Sequence, residues 1–273
     1  MNTPFSNCPI GIFDSGIGGL TVASAMRNVL PSENIIYLGD TARLPYGSKS
    51  GKLITRYSVD NAIFLISNNV KLIVIACNTA SALSANYLRS FIKVPVVGVI
   101  ECGALGAVRI TKNKRVGVIG TKNTVNSGAY TNAINNLDPE IRVFEQSTPL
   151  LVHLVEENWI EKDITISIIR DYLQPIIENE IDTLILGCTH YPLLKERIQS
   201  ITGNISLVDS SNEIAHLVLN TLKIQNLLSG SKEPGSSNIY LTDLYPEFSN
   251  RAKLFLGKET EATLIDIEKH GFC

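Results

Sequence analysis

At 273 residues and 44% hydrophobic, the chain has the apolar material for a large core, built as one long domain or two of ordinary size. A formal charge of -2, with 24 basic residues scattered among 26 acidic ones, leaves no electrostatic footprint for nucleic acid. The apolar runs are too short to span a bilayer, and the five cysteines, an odd number, favour free thiols over a disulfide framework.

The stretch before Ile10 has neither the basic nor the apolar region of a secretion signal, so a cytoplasmic protein is expected. A short apolar run at residues 10–13 reads as the first strand. It is followed by the turn Asp14-Ser15-Gly16-Ile17-Gly18-Gly19 and a helical pattern over residues 20–30. Strands at 35–38 and 72–76 flank a helical segment at 52–69, and a helix over 78–92 precedes a strand at 96–99. Strands at 116–119, 183–186 and 206–208 continue the alternation; residues 230–237 form a loop, and a strand at 239–242 and a short helix marked by Phe248, Ala252, Phe255 and Leu256 close the chain.

Nearly all these strands are short, continuous and rich in Ile and Val, as strands buried on both faces should be. Their alternation with helices predicts an α/β fold of mainly parallel sheets flanked by helices. The two halves also echo each other. Ile10-Gly11-Ile12-Phe13 matches Val116-Gly117-Val118-Ile119, and Ile75-Ala76-Cys77-Asn78-Thr79 matches Leu186-Gly187-Cys188-Thr189-His190 at a similar offset. This pattern of internal duplication predicts two pseudo-symmetric domains, residues 1–102 plus 210–273 and residues 103–209, with a site in the cleft between them.

Cys77 and Cys188 each follow a strand and precede a helix, where free N–H groups and the helix dipole favour a thiolate. A modest downward shift from about 8.5 would give a base useful near neutrality. Either cysteine alone reads as apolar filler; the pair, on opposite walls, reads as two bases. Asp14 is expected at the cleft edge, and Asp14 or Ser15 as a helix cap. The glycines after them resemble a nucleotide-binding loop without the Gly-x-Gly-x-x-Gly spacing. Asn78, Thr79, Thr189, Ser15 and Thr121 offer donors for a small acid. His190 could orient or protonate a thiol, while His153, His216 and His270 read as structural or exposed. Cys8, Cys102 and Cys273 lack the spacing of a metal site, so no metal is expected.

Taken together, Phe13-Asp14-Ser15-Gly16-Ile17-Gly18-Gly19, Gly39-Asp40-Thr41-Ala42-Arg43-Leu44-Pro45-Tyr46-Gly47, Ala76-Cys77-Asn78-Thr79-Ala80-Ser81-Ala82, Gly98-Val99-Ile100-Glu101 and Leu186-Gly187-Cys188-Thr189-His190-Tyr191-Pro192 resemble the cofactor-independent glutamate racemases of the aspartate/glutamate racemase superfamily. The resemblance implies that Cys77 and Cys188 exchange the α-proton, assisted by Asp14 and His190. It implies glutamate bound by Asp14, Ser15, Tyr46, Gly47, Asn78, Thr79, Thr121, Thr189 and His190, and an acidic residue, Glu101, near the site. It also implies no cofactor, a role in peptidoglycan synthesis and, commonly, a homodimer. Cys102 stands where the family usually has Pro, a change expected to affect a loop or hinge. An aspartate racemase, a dicarboxylate-binding protein and a thiol hydrolase remain as alternatives; the last would leave one cysteine unexplained.

Overall fold

The computed structural model describes residues 5–270; the first four residues, Cys273 and the side chain of His270 lie outside the described residues. The first lobe begins β1 (Ile10–Asp14), α1 (Leu20–Val29), β2 (Ile35–Gly39), two 3-10 turns at Thr41–Arg43 and Tyr46–Ser48, α2 (Gly51–Ser67), β3 (Leu72–Ile75), α3 (Asn78–Phe91) and β4 (Val96–Gly98). Helix α4 (Val99–Ile110) crosses to the second lobe. There β5 (Arg115–Gly120), α5 (Lys122–Asn126), α6 (Ala129–Leu137), β6 (Arg142–Ser147), α7 (Leu150–Glu156), α8 (Asp163–Ile177), β7 (Thr183–Gly187), a 3-10 turn at Tyr191–Leu194, α9 (Lys195–Thr202) and β8 (Ser206–Asp209) follow. Helix α10 (Ser210–Ile224) returns the chain to β9 (Ser237–Leu241), α11 (Phe248–Leu256) and β10 (Thr263–Leu264).

Every residue of β1, β2, β3 and β7 is buried, which only helices on both faces allow, and this is why their sequences are apolar without alternation. One sheet runs β10-β9-β2-β1-β3-β4 and the other β6-β5-β7-β8, and all their pairings are parallel. The segment β2-β1-β3-β4 therefore has the same order as β6-β5-β7-β8, with Cys77 after β3 and Cys188 after its counterpart β7. The repeat extends to packing. A methyl group at Gly11 would lie 2.9 Å from Val70, just ahead of β3, and one at Gly117 would lie 2.6 Å from Ile181, just ahead of β7. In both lobes a glycine in the central strand admits the side chain that leads into the thiol-bearing strand.

The short strand β10 follows the helix expected to close the chain, and two further features depart from the expectations above. Strand β6 was not anticipated, because Arg142-Val143-Phe144-Glu145-Gln146-Ser147 lies at a sheet edge, half-buried and polar, without a continuous apolar run. Cys102 lies in no loop: it is in the first turns of α4, buried, with its Sγ 3.3 Å from the Gly98 carbonyl oxygen. A proline is tolerated so near a helix start, so the substitution leaves the crossing intact.

Away from the strand ends that carry the thiols, Lys71 and Glu33 form an ion pair buried on both sides. Lys71 also donates to the Ser6 carbonyl, and Glu33 accepts from the Ser229 N–H at 2.7 Å, so the pair binds the amino-terminal segment and the loop after α10 to the first sheet. Removing one partner strands a buried charge. Lys71→Met should cost about 3–5 kcal/mol in urea unfolding, and combining it with Glu33→Gln should recover part of that loss; an additive double mutant would show that the pair is not coupled.

Candidate active site

The C-terminal ends of the strands from both sheets converge on one cavity of about 180 Å³. Ser15 follows β1, the Tyr46–Ser48 turn follows β2 and Cys77 follows β3; from the other sheet Thr121 follows β5, Pro149 follows β6 and Cys188 follows β7. Cys77, Cys188, Ser15, Tyr46, Gly47, Asn78, Thr79, Thr121, Thr189 and His190 all line it. Among the described residues, no Asp or Glu lines it. Two expected residues lie elsewhere. Asp14 is wholly buried behind the wall instead of at the cleft edge, and Glu101 pairs with Arg89 at 2.7 Å and faces a separate pocket between α3, α4 and α6.

The surroundings of the two thiols differ. Cys77 is the residue before the first turn of α3, and its Sγ lies 3.6 Å from the Ser15 hydroxyl. Burial pushes its pKa up to about 12, and the nearby Asp14 carboxylate pushes the same way, against contacts with Ser15 and the Ala80 N–H. This reverses the downward shift expected from the helix start: desolvation and a buried carboxylate outweigh the dipole. Cys188 lies 3.7 Å from Nδ1 of His190, whose Nε2 is 3.2 Å from Glu156 on α7. The latter contact is an ion pair without a well-directed hydrogen bond, which leaves the Nε2 donor unspent. Burial would draw the imidazole down, but Cys188 and Glu156 outweigh it and raise His190 to about 10. Asp14 is raised by burial, restrained by the charge of His190 and by backbone N–H groups, with Gly16 donating at 3.0 Å.

The turn after β1 does not supply a helix cap: α1 begins after Gly19 with no side-chain cap. Its glycines permit close approach. A methyl group on Gly18 would lie 2.5 Å from Thr189 Oγ1 and 2.7 Å from His190 Nδ1, and one on Gly19 would strike Asp14 at 2.6 Å. The first lobe thus packs directly against the Cys188-Thr189-His190 corner of the second.

Hydroxyls and amides complete the wall. Thr79 and Thr121 meet at 2.8 Å, both within 3.3 Å of Thr124, and Thr121 also caps α5 by accepting from the Thr124 N–H. Asn78 accepts from the Tyr130 hydroxyl at 2.6 Å, while its own amide NH₂ has no partner among the described residues. The Tyr46 hydroxyl donates to Asp40 and accepts from Asn61, so its ring, and not its oxygen, is available to the cavity. Asn123 donates to the carbonyls of Tyr46 and Lys49 at 3.0 and 2.7 Å, binding the mouth of the first lobe to the second.

Sequence reasoning missed Glu156, Lys122, Val152 and His153. His153, taken as structural or exposed, is exposed but lines the cavity with Val152 and Lys122. The three-residue spacing of His153 and Glu156 places both on one face of a helix, a signal visible only once the segment is known to be helical and to follow a strand end.

Comparisons with known proteins agree with this fold of two mainly parallel sheets flanked by helices. The family described as Asp/Glu/hydantoin racemase matches residues 21–218. A glutamate racemase of Syntrophus aciditrophicus is 47% identical over 92% of this chain and 93% of its own, and one of Geobacter metallireducens is 46% identical over 91% and 92%. The crystal structure of glutamate racemase from Francisella tularensis in complex with D-glutamate superposes with a TM-score of 0.91 at 37% identity, covering 97% of this chain and 99% of that one. The fold and these matches define an isomerase of the amino-acid racemase class. More narrowly, the chain belongs to the glutamate racemase family.

Two outcomes are expected. The Cε1–H resonance of His190 should titrate near pH 10 and shift lower in Glu156→Gln; the stability it contributes is fully present below about 6.5, the ordinary histidine value, and is lost as pH rises through about 10. Gly18→Ala should cost about 1–3 kcal/mol in thermal unfolding by forcing Thr189 and His190 aside, whereas Gly16→Ala, whose new methyl would meet only Leu44 at 3.6 Å, should be tolerated.

Proposed function

We propose that the protein interconverts L- and D-glutamate by a two-base proton transfer between Cys77 and Cys188, in the cytoplasm, supplying D-glutamate for peptidoglycan synthesis. The observation that carries this reading is the pair of thiols at duplicated strand ends, lining one cavity with no carboxylate in its wall. A cavity of this size suits a single small molecule, and the absence of fixed negative charge in its lining suits an anion.

In the proposed reaction one thiolate removes the α-proton, forming S–H as C–H breaks, and the other thiol delivers its proton to the opposite face of the carbanion. By the family resemblance Cys188 acts on L-glutamate and Cys77 on D-glutamate. The unlike surroundings suit the L to D pass at rest: Cys77 is held as a thiol, ready to donate, and Cys188 faces an imidazole held as a cation. For the reverse pass, a substrate ammonium in the cavity would offset the Asp14 charge that adds to burial in keeping Cys77 protonated. A thiolate is too weak a base to form the carbanion unaided. The unspent NH₂ of Asn78, the Thr79-Thr121-Thr124 hydroxyls and Thr189 supply donors to the carboxylate that shares the developing charge. The lobes that close over it are taken as residues 1–102 plus 210–273 and residues 103–209.

Incubation of the purified protein with L-glutamate in D2O should bring loss of optical rotation together with deuterium at the α-carbon. Cys77→Ala and Cys188→Ala should each lower racemisation by at least about 10²-fold. No exchange in the unaltered protein would overturn the assignment, and full turnover in either variant would overturn the two-base mechanism.

A further inference from the structure

Three basic side chains line the cavity: His190, buried between Cys188 and Glu156, and the two exposed ones, Lys122 and His153. Lys122 opens α5 directly after the Thr121 cap, and His153 stands on α7 beside Val152. Neither has an ion pair or hydrogen bond among the described residues, although His153 lies close enough to Glu156 for its charge to bear on that carboxylate. Two basic groups from separate elements are thus left free at the exposed rim of a cavity whose wall carries no acid. Packing does not call for them there, since both are solvent-accessible and neither belongs to a core cluster.

We infer that Lys122 and His153 form the entrance of the cavity and select acidic amino acids, attracting the net negative substrate before the buried groups engage it. The inference rests on the proposed racemisation, because it concerns the substrate of that reaction. A charge at the rim acts through a field that mobile ions screen, so its effect belongs to substrate capture and declines with salt. The buried donors, shielded from solvent, act on the bound substrate and on the transition state. The two contributions therefore separate as KM against kcat.

The test measures kcat and KM for L-glutamate from low to high ionic strength in the unaltered protein, Lys122→Gln, Lys122→Glu and His153→Gln, each first confirmed to melt like the parent. Lys122→Gln and His153→Gln should raise KM about three- to ten-fold at low salt with kcat within about two-fold, Lys122→Glu should raise KM further, and both Lys122 variants should flatten the salt dependence of kcat/KM. Unchanged KM and salt dependence in the Lys122 and His153 variants would overturn the inference, as would a loss carried by kcat alone. Absence of α-proton exchange on glutamate in the unaltered protein would instead overturn the racemase reading itself, and with it this one.

Discussion

The backbone at Gly18 approaches Thr189 and His190 so closely that no side chain fits between them, and the arrangement of the site follows from that contact. It brings the strand ends of two separate sheets to one point, with Asp14 behind one thiol and His190 beside the other. His190 is then confined on several sides: by Gly18, by Cys188 at Nδ1, by Glu156 at Nε2 and by the edge-to-face ring of Phe255 at 5.8 Å. A buried imidazolium is tolerable only in such company, since without the carboxylate and the thiol burial would neutralise it. The contact that positions the group is thus also part of what keeps it charged.

Much of this was legible in the sequence because the fold is repetitive. The Ile-rich and Val-rich runs of β1, β2, β3 and β7 announce strands covered on both faces, and the match of Ile10-Gly11-Ile12-Phe13 to Val116-Gly117-Val118-Ile119 announces two sheets of like order. The residues carried by the five motifs were largely gathered at one cavity. What escaped notice depends on three-dimensional position. Strand β6 is a polar edge; Glu156 and His153 mark a site only after α7 is placed beside Tyr191–Leu194; and the protonation of Cys77 is decided by its burial, with Asp14, a residue far away in the chain, pushing the same way. Helix dipole and burial act oppositely on a thiol, and the sequence displays only the first.

The lobes are connected by more than their two crossing helices. Tyr130 on α6 reaches Asn78 on α3, Asn123 reaches the turn after β2, and Thr121 and Thr124 meet Thr79. Every one of these bonds borders the cavity or supports a group that does. The same polar groups therefore hold the lobes together and present donors to whatever occupies the space between them, so widening the cleft disperses the donors along with it.

The unlike neighbours of the two thiols have a thermodynamic consequence. Enantiomers in water have equal free energies, so a catalyst that interconverts them is bound to the same kcat/KM in both directions, whatever stands beside each base. The Asp14 and Ser15 side of the cavity and the His190 and Glu156 side therefore cannot bias the final mixture. Under the proposed two-base reaction their difference is confined to saturation: it sets which mirror form fills the protein at lower concentration, and in which of two protonation states the protein waits between turnovers.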